Sequence, residues 1–383
     1  MSELWLRGRV VTASGEIDDG VVTVRGEYIA AVETLADWLA THPDTEQPPH
    51  LGTILPGLVD IHNHGGFGHR FDTTDPAEAR AAARYHHEQG STTVVASIVT
   101  APPDEMVAQV RALAEVAAAG GISAIHVEGP FLSAARCGAQ DPNYLIDPDL
   151  GLIERLLTAA DGHLRMMTLA PERPGFEAAA KLLTDSGVVV ALGHSDASYE
   201  TFRDRLAPDG FATVITHLAN GMPPLHHRDP GPVAAGLVAA SERQAYVELI
   251  GDGVHVEPGF GALVFATARD RVALVTDAMQ AAGLPDGEYR LGPQRVRVVD
   301  GVARVASGSI AGGTATLLRC LRWVVRECGV PLAAAVRAAT ATPAAALGLA
   351  DVGELRPGLR ADAVVVDAEL GLRRVLRRGQ WLT

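Results

Sequence analysis

Three cysteines and one lysine are all that the 383 residues contain of either type. Cys137, Cys320 and Cys328 are too few and too scattered for a disulfide framework, and no Cys-x-x-Cys pair offers a thiolate metal site. Excess positive charge is also missing. A formal net charge of −14 argues against a nucleic-acid or anionic-membrane surface, although a local cluster of Arg and His can reverse the field inside one cleft. No apolar run approaches membrane-spanning length, and Met1-Ser-Glu-Leu-Trp5 lacks a basic region followed by an apolar core, so a cytoplasmic protein is expected. No Gly-x-Gly-x-x-Gly follows a strand-like run, which removes the signal for a dinucleotide site.

What is present points to a large ordered core. The chain is 47% hydrophobic and 20% charged, and its length suits an α/β barrel with an appendage. Residues 1–55 carry short strand-like runs (Leu4–Leu6, Val10–Val11, Val21–Val24) cut by Gly8, Gly15, Gly20 and Gly26. This texture suggests a small antiparallel sheet. It returns at the other end, in Gly358–Asp367, Leu372–Leu376 and Gly379–Leu382. Residues 1–55 plus 350–383 are therefore expected to build one small, β-sandwich-like domain, with 56–349 inserted between them.

The insert alternates. Strand-like runs at Leu58–Ile61, Thr92–Ile98, Ile122–Val127, Leu164–Leu169, Val188–Leu192, Ala212–Ile215, Ala245–Ile250 and Val272–Thr276 are mostly followed by helix-favouring stretches. Pro76–Gln89, Pro103–Ala118, Phe176–Ser186 and Pro258–Ala268 are examples. Eight such units predict a (β/α)₈ TIM-type barrel. Near 284–307 the pattern lapses into short β pieces, read as a hairpin insertion before a helical stretch over Thr314–Glu327.

Ionisable residues fall at particular places on this pattern. His62 and His64 follow the first strand-like run, and two residues apart on a strand they face one side. Spacing alone leaves open a surface pair or half of a metal site. Glu128 follows Ile125–Val127, His194 follows Val189–Gly193, His217 follows Val214–Thr216, and Asp277 follows Ala273–Thr276. Each stands at the C-terminal end of a different predicted strand, the face where barrel sites assemble. One such residue reads as structural; six on one rim predict a metal site. Imidazoles and carboxylates suit Zn, Fe or Mn, and an open position lowers the pKa of bound water toward ~7. Glu128 could bridge two metals, and Asp277 could take a proton from water and return it to a leaving amine. The chemistry implied is metal-assisted hydrolysis of an amide or related C–N bond.

These residues resemble the amidohydrolase superfamily and, within it, the N-acetylglucosamine-6-phosphate deacetylases. Pro56–Gly65 is similar to the superfamily's first-strand signature. The more specific matches are His126–Leu132, Gly193–Ala197, Thr216–Met222, Asp252–His255, Thr276–Met279 and Ser309–Gly313. The resemblance implies that Glu128, His194 and His217 are metal ligands, that His62 and His64 are the extra pair of members holding a second metal, and that Asp277 is the catalytic acid/base and also touches that metal. One or two divalent metals per subunit are implied, zinc first, with iron or manganese as alternatives.

The same resemblance gives the substrate contacts. Asn220 and Gly221 fall near the sugar phosphate, and Arg228 and His255 match phosphate-binding side chains, one of them reaching across a homodimer interface. Ala139 and Gln140 lie on the loop that meets the acetamide or sugar, and Ile310, Ala311 and Gly312 line the sugar site. His226 and His227 add local positive charge beside Arg228 at mildly acidic pH. Gln140 stands where the family usually has His, and Cys137 shares its loop.

The expected reaction releases acetate from N-acetylglucosamine 6-phosphate, with the galactosamine epimer or another amide as alternative and an inactive binding scaffold as the remote one. Hydantoinase-like members typically bridge their metals with a carboxylated lysine; here the lone Lys181 falls in a helical stretch.

Overall fold

The computed structural model describes residues 3–13, 15–208 and 210–382. Eight parallel strands form a barrel: β1 (Val59–Asn63), β2 (Thr93–Ile98), β3 (Ala124–Glu128), β4 (Leu164–Leu169), β5 (Val189–Leu192), β6 (Ala212–Ile215), β7 (Tyr246–Ile250) and β8 (Val272–Val275). They are short, rich in Val, Ile, Leu and Ala, and almost wholly buried, as strands covered on both faces must be. The ring closes between β8 and β1. There Asp277 N–H donates to the His62 carbonyl (2.9 Å) and His64 N–H to the Ala278 carbonyl (2.7 Å). Each strand is followed by a helix, from Pro76–Glu88 after β1 to Leu317–Arg326 after β8.

Two apolar layers hold this arrangement. Inside the barrel, Val59, Ile61, Val95, Ala124, Met166, Ala191, Val214, Ile250, Ala273 and Val275 pack together, joined by Ala344, Ala346 and Leu347 from the last helical segment. Between strands and helices lies the larger layer, which includes Leu58, Val94, Ile125, Leu169, Leu192, Ile215 and Leu274.

Both ends of the chain meet in one seven-stranded sheet. Its order is Gln380–Trp381, Leu372–Arg377, Ala363–Val366, His50–Pro56, Glu3–Thr12, Gly15–Arg25 and Tyr28–Thr34. All neighbours are antiparallel except Glu3–Thr12 with His50–Pro56. That parallel pair departs from the all-antiparallel expectation: the chain returns through the helix Leu35–Thr41, the kind of crossover a parallel pair needs.

Most element ends shift by a residue or two from the sequence reading. The predicted hairpin is a three-stranded sheet, Gly287–Leu291, Gln294–Val299 and Val302–Val305, whose inner face packs Leu291, Val296 and Val298 on Val99, Met279 and Ala311. The following helix begins at Leu317 rather than Thr314 because the Thr316 hydroxyl caps it by accepting from Arg319 N–H.

Candidate active site

A local irregularity aims the first two histidines. Val59 and Ile61 face the barrel interior, so strict alternation would turn His62 outward. The register with β2 shifts between Asp60 and Asn63, as a bulge does, and inward parity passes to His62 and His64. Two residues past the ends of three other strands stands a non-glycine residue with left-handed backbone, at His194 (φ 48°), His217 (φ 28°) and Asp277 (φ 46°). Such conformations cost about 1–3 kcal/mol each and persist where the surroundings dictate them. Gly193 is one reason the chain can turn there. A Cβ on it would stand 2.8 Å from the Thr216 Cβ.

The six side chains gather as two groups, His62–His64–Asp277 and Glu128–His194–His217, the ligand atoms of each lying within 4.8 Å of one another. His194 Nε2 and His217 Nε2 stand 3.0 and 2.8 Å from Glu128 Oε1. His64 Nε2 is 3.1 Å from Asp277 Oδ1 and 3.4 Å from Glu128 Oε2. Glu128 thus lies between the groups, one oxygen toward each.

The donor set fits divalent cations. His62 Nδ1 faces Glu248 Oε2 (2.9 Å), His64 Nδ1 faces the Ser97 carbonyl (3.2 Å), and His194 Nδ1 faces the Arg136 carbonyl (2.8 Å). Each of these partners can only accept, so Nδ1 carries the proton and Nε2 turns a lone pair inward. The facing nitrogens come close: His62 Nε2 to His64 Nε2 is 3.1 Å and His194 Nε2 to His217 Nε2 is 3.2 Å. Lone pairs so placed call for a positive charge between them.

The local field has the same sense. Burial disfavours imidazolium at His64, yet the bonds and charges of Asp277 and Glu128 outweigh it and lift its pKa to about 9. His62 is raised too, burial being outweighed by Glu248, Asp277 and Glu128. Burial opposes ionisation of Asp277, but His62 and His64 bring its carboxyl down to about 2. The same negative field attracts a metal cation, which takes the place of the Nε2 protons when it binds.

Beneath the ligands lies a polar layer that the strand-end argument missed. Ser97 Oγ bonds His126 Nδ1 (2.9 Å), His126 Nε2 bonds Thr168 Oγ1 (2.8 Å), and Thr168 Oγ1 bonds Thr216 Oγ1 (2.8 Å). Asp60 accepts from Thr276 Oγ1 (2.6 Å) and Asn63 Nδ2 (2.8 Å), tying β1 to β8. Burial still raises its pKa to about 6. Glu248, wholly buried on β7, supports His62. The available signal was polar residues inside otherwise apolar strands, since a buried polar group needs a partner.

A cavity of about 250 Å³ opens above the ligands. Gly138, Ala139, Gln140, Asn220, Gly221, His255, Leu291, Ser309, Ile310 and Gly312 line it along with His64, Glu128, His194, His217 and Asp277. Gln140 is buried, its Oε1 accepting from Thr100 N–H (2.8 Å) and its Nε2 donating to Glu128 Oε2 (2.7 Å). His255 bonds Asp252 through Nδ1 (2.7 Å). Burial works against its charged form, but Asp252 raises its pKa.

Three expected site residues do not line the cavity. Arg228 is exposed and bonds its neighbour His227, Ala311 is buried under the three-stranded sheet, and His62 is covered by the other ligands. Cys137 also lies outside the lining. A larger cavity of about 490 Å³ lies beside Pro258–Ala268 and Leu332–Ala338, but its lining holds no histidine and a single carboxylate, Asp270, so chemistry rather than size selects the smaller one.

The comparisons with known proteins agree with this geometry. The chain is 35% identical to the N-acetylgalactosamine-6-phosphate deacetylase of Escherichia coli O157:H7 over 97% of each chain. It is 36% identical to the N-acetylglucosamine-6-phosphate deacetylase of Vibrio furnissii, over 94% of this chain and 90% of that one. A mutant N-acetyl-D-glucosamine-6-phosphate deacetylase from Mycobacterium smegmatis, solved in complex with N-acetyl-D-glucosamine-6-phosphate, superposes with a TM-score of 0.93 at 43% identity, covering 100% of this chain and 99% of that one. The amidohydrolase family matches residues 53–380, a span that takes in the whole barrel and every ligand-type residue on its rim, and to that family, whose members depend on metal, the chain belongs.

Proposed function

We propose that this chain hydrolyses the acetamide of N-acetylglucosamine 6-phosphate, giving glucosamine 6-phosphate and acetate. The observation that carries the reading is the convergence of Glu128, His194, His217, His62, His64 and Asp277 beneath a cavity lined by Asn220, Gly221 and His255. Zinc is the cation proposed for the two groups, and when bound it supplies Lewis acidity and lowers the pKa of a coordinated water.

The protein's own groups then divide the work. Asp277, whose carboxylate lines the cavity and stands 3.1 Å from His64 Nε2, accepts a proton from the attacking water. As the carbon–nitrogen bond breaks, it returns that proton to the leaving amine, and the water oxygen stays on the acetate. Asn220, Gly221 and His255 hold the sugar phosphate, with Asp252 favouring the charged form of His255. Arg228 sits on an exposed loop beside Leu225, which is 47% exposed, and we assign it to the phosphate of a second subunit in a homodimer.

The galactosamine epimer is a second reading, favoured by the similarity to the Escherichia coli O157:H7 protein. Acetate release from the two epimeric 6-phosphates, measured on purified protein with added Zn, Fe or Mn, tests both. Turnover of the glucosamine epimer is expected to dominate. No acetate from either, with any metal, would overturn the proposal. Among the described residues no helix is long and apolar enough to cross a membrane, and a cytoplasmic location belongs to the same proposal.

A further inference from the structure

We infer that Glu248 is a positioning residue that couples the two ligand groups, so that cation binding in both depends on it. The inference rests on the metal-site reading above. Glu248 is wholly buried on β7, two residues before the strand ends. Its Oε2 stands 2.9 Å from His62 Nδ1 and 3.1 Å from His217 N. One oxygen thus accepts from a residue of each group. Its other oxygen is buried without a hydrogen-bond partner among the described residues.

Those two bonds act differently. The bond to His62 keeps the proton on Nδ1 and turns the Nε2 lone pair toward His64 and Asp277, and a carboxylate behind a ligating imidazole also strengthens the imidazole as a ligand. The bond to the His217 backbone N–H holds that residue at φ 28°, a turn that sends its ring to Glu128. A carboxyl group inside a barrel is unfavourable to bury, and an apolar side chain would fill the same space without that penalty. Ser97, His126, Thr168 and Thr216 satisfy one another at this level of the barrel. Glu248 bonds the ligand residues instead, which marks its role as belonging to the site.

The test is calorimetric titration of chelator-stripped, full-length protein with Zn²⁺, together with the d–d absorption spectrum of the Co²⁺-loaded form. Wild type is expected to take up two equivalents. Glu248→Gln, whose amide oxygen can still accept both N–H groups, is expected to lower affinity for the weaker-bound cation ~10–100-fold and to shift the Co²⁺ spectrum. The melting temperature of the metal-free protein should stay close to that of wild type, since a purely structural role would move melting and leave affinity alone. Glu248→Ala should weaken both cations further; if it fails to fold, Glu248→Gln decides. His62→Ala serves as the control and should lose one equivalent.

Two cations at wild-type affinity in every folded Glu248 variant, with His62→Ala losing one, would overturn the role of Glu248 and leave the metal site standing. A wild type that binds fewer than two would overturn the two-cation reading, and the coupling with it.

Discussion

The two ligand groups share their chemistry but not their support. His62, His64 and Asp277 come from β1 and β8, the strands that meet where the barrel closes, and the backbone bonds of that seam run through them. Behind them stand Glu248 and the Ser97 carbonyl, both parts of the barrel wall. Glu128, His194 and His217 come from β3, β5 and β6, and two of them lean on the loop above: His194 on the Arg136 carbonyl, Glu128 on Gln140. One group is therefore set by the barrel, while the other is held partly from outside it. The geometry of the second group depends on the loop contacts at Arg136 and Gln140 as well as on the strands.

The largest effect should come from Asp277, which belongs to the rigid group and to which the proposed mechanism gives the proton transfer. Asp277→Asn keeps the size of the side chain and removes the base. It is expected to lower kcat ~10²–10⁴-fold with a smaller change in KM, read from steady-state acetate release. Equal losses in substrate binding and turnover would instead make Asp277 a binding group, and the distinction between the two groups would lose its catalytic half.

Next in size is the pair that separates the groups directly. His62→Ala with His64→Ala should reduce metal content from two equivalents to one, measured by elemental analysis of protein purified without chelators. Circular dichroism should remain that of a folded barrel, because the second group and the apolar layers are untouched. Activity should fall by at least ~10–100-fold, the cost of losing even an outer partner of a metal-ligating side chain. Full metal content in the double variant would place the second cation elsewhere.

The contrast also explains what the sequence could reveal. His62 and His64 stand two apart and announce themselves, and Glu128, His194, His217 and Asp277 were found because each ends a short apolar run. The same reasoning yields eight strands and the shared sheet of the two termini, since alternation of apolar and helix-favouring segments is local information. The bulge in β1 was not legible: Leu58–Ile61 reads as a regular strand, and only pairing with β2 shows the shift. Glu248 gives no signal in the sequence because it lies inside its strand, and a carboxyl there is informative only once its partners His62 and His217 are known. Arg228 is the opposite case, named by resemblance but exposed in the single chain.

The smallest expected effect falls on Gln140, the link between the outer loop and the carboxylate that faces both groups. Thr100 N–H donates to its amide oxygen, which fixes the amide orientation and aims the NH₂ at Glu128 Oε2. Gln140→Leu removes both bonds while filling similar space. A hydrogen bond to a charged partner is worth about 1.5 kcal/mol at the lower end, so roughly a tenfold loss in cation affinity or kcat/KM is expected. Gln140→His should cost less, about threefold or under. A neutral imidazole can donate one N–H to Glu128 and accept from Thr100 with its other nitrogen, reproducing the pair of bonds. Calorimetry and kinetics on both variants check this. If Leu and His behave alike, the loop does not steady Glu128, and the two groups differ in origin but not in how firmly they are held.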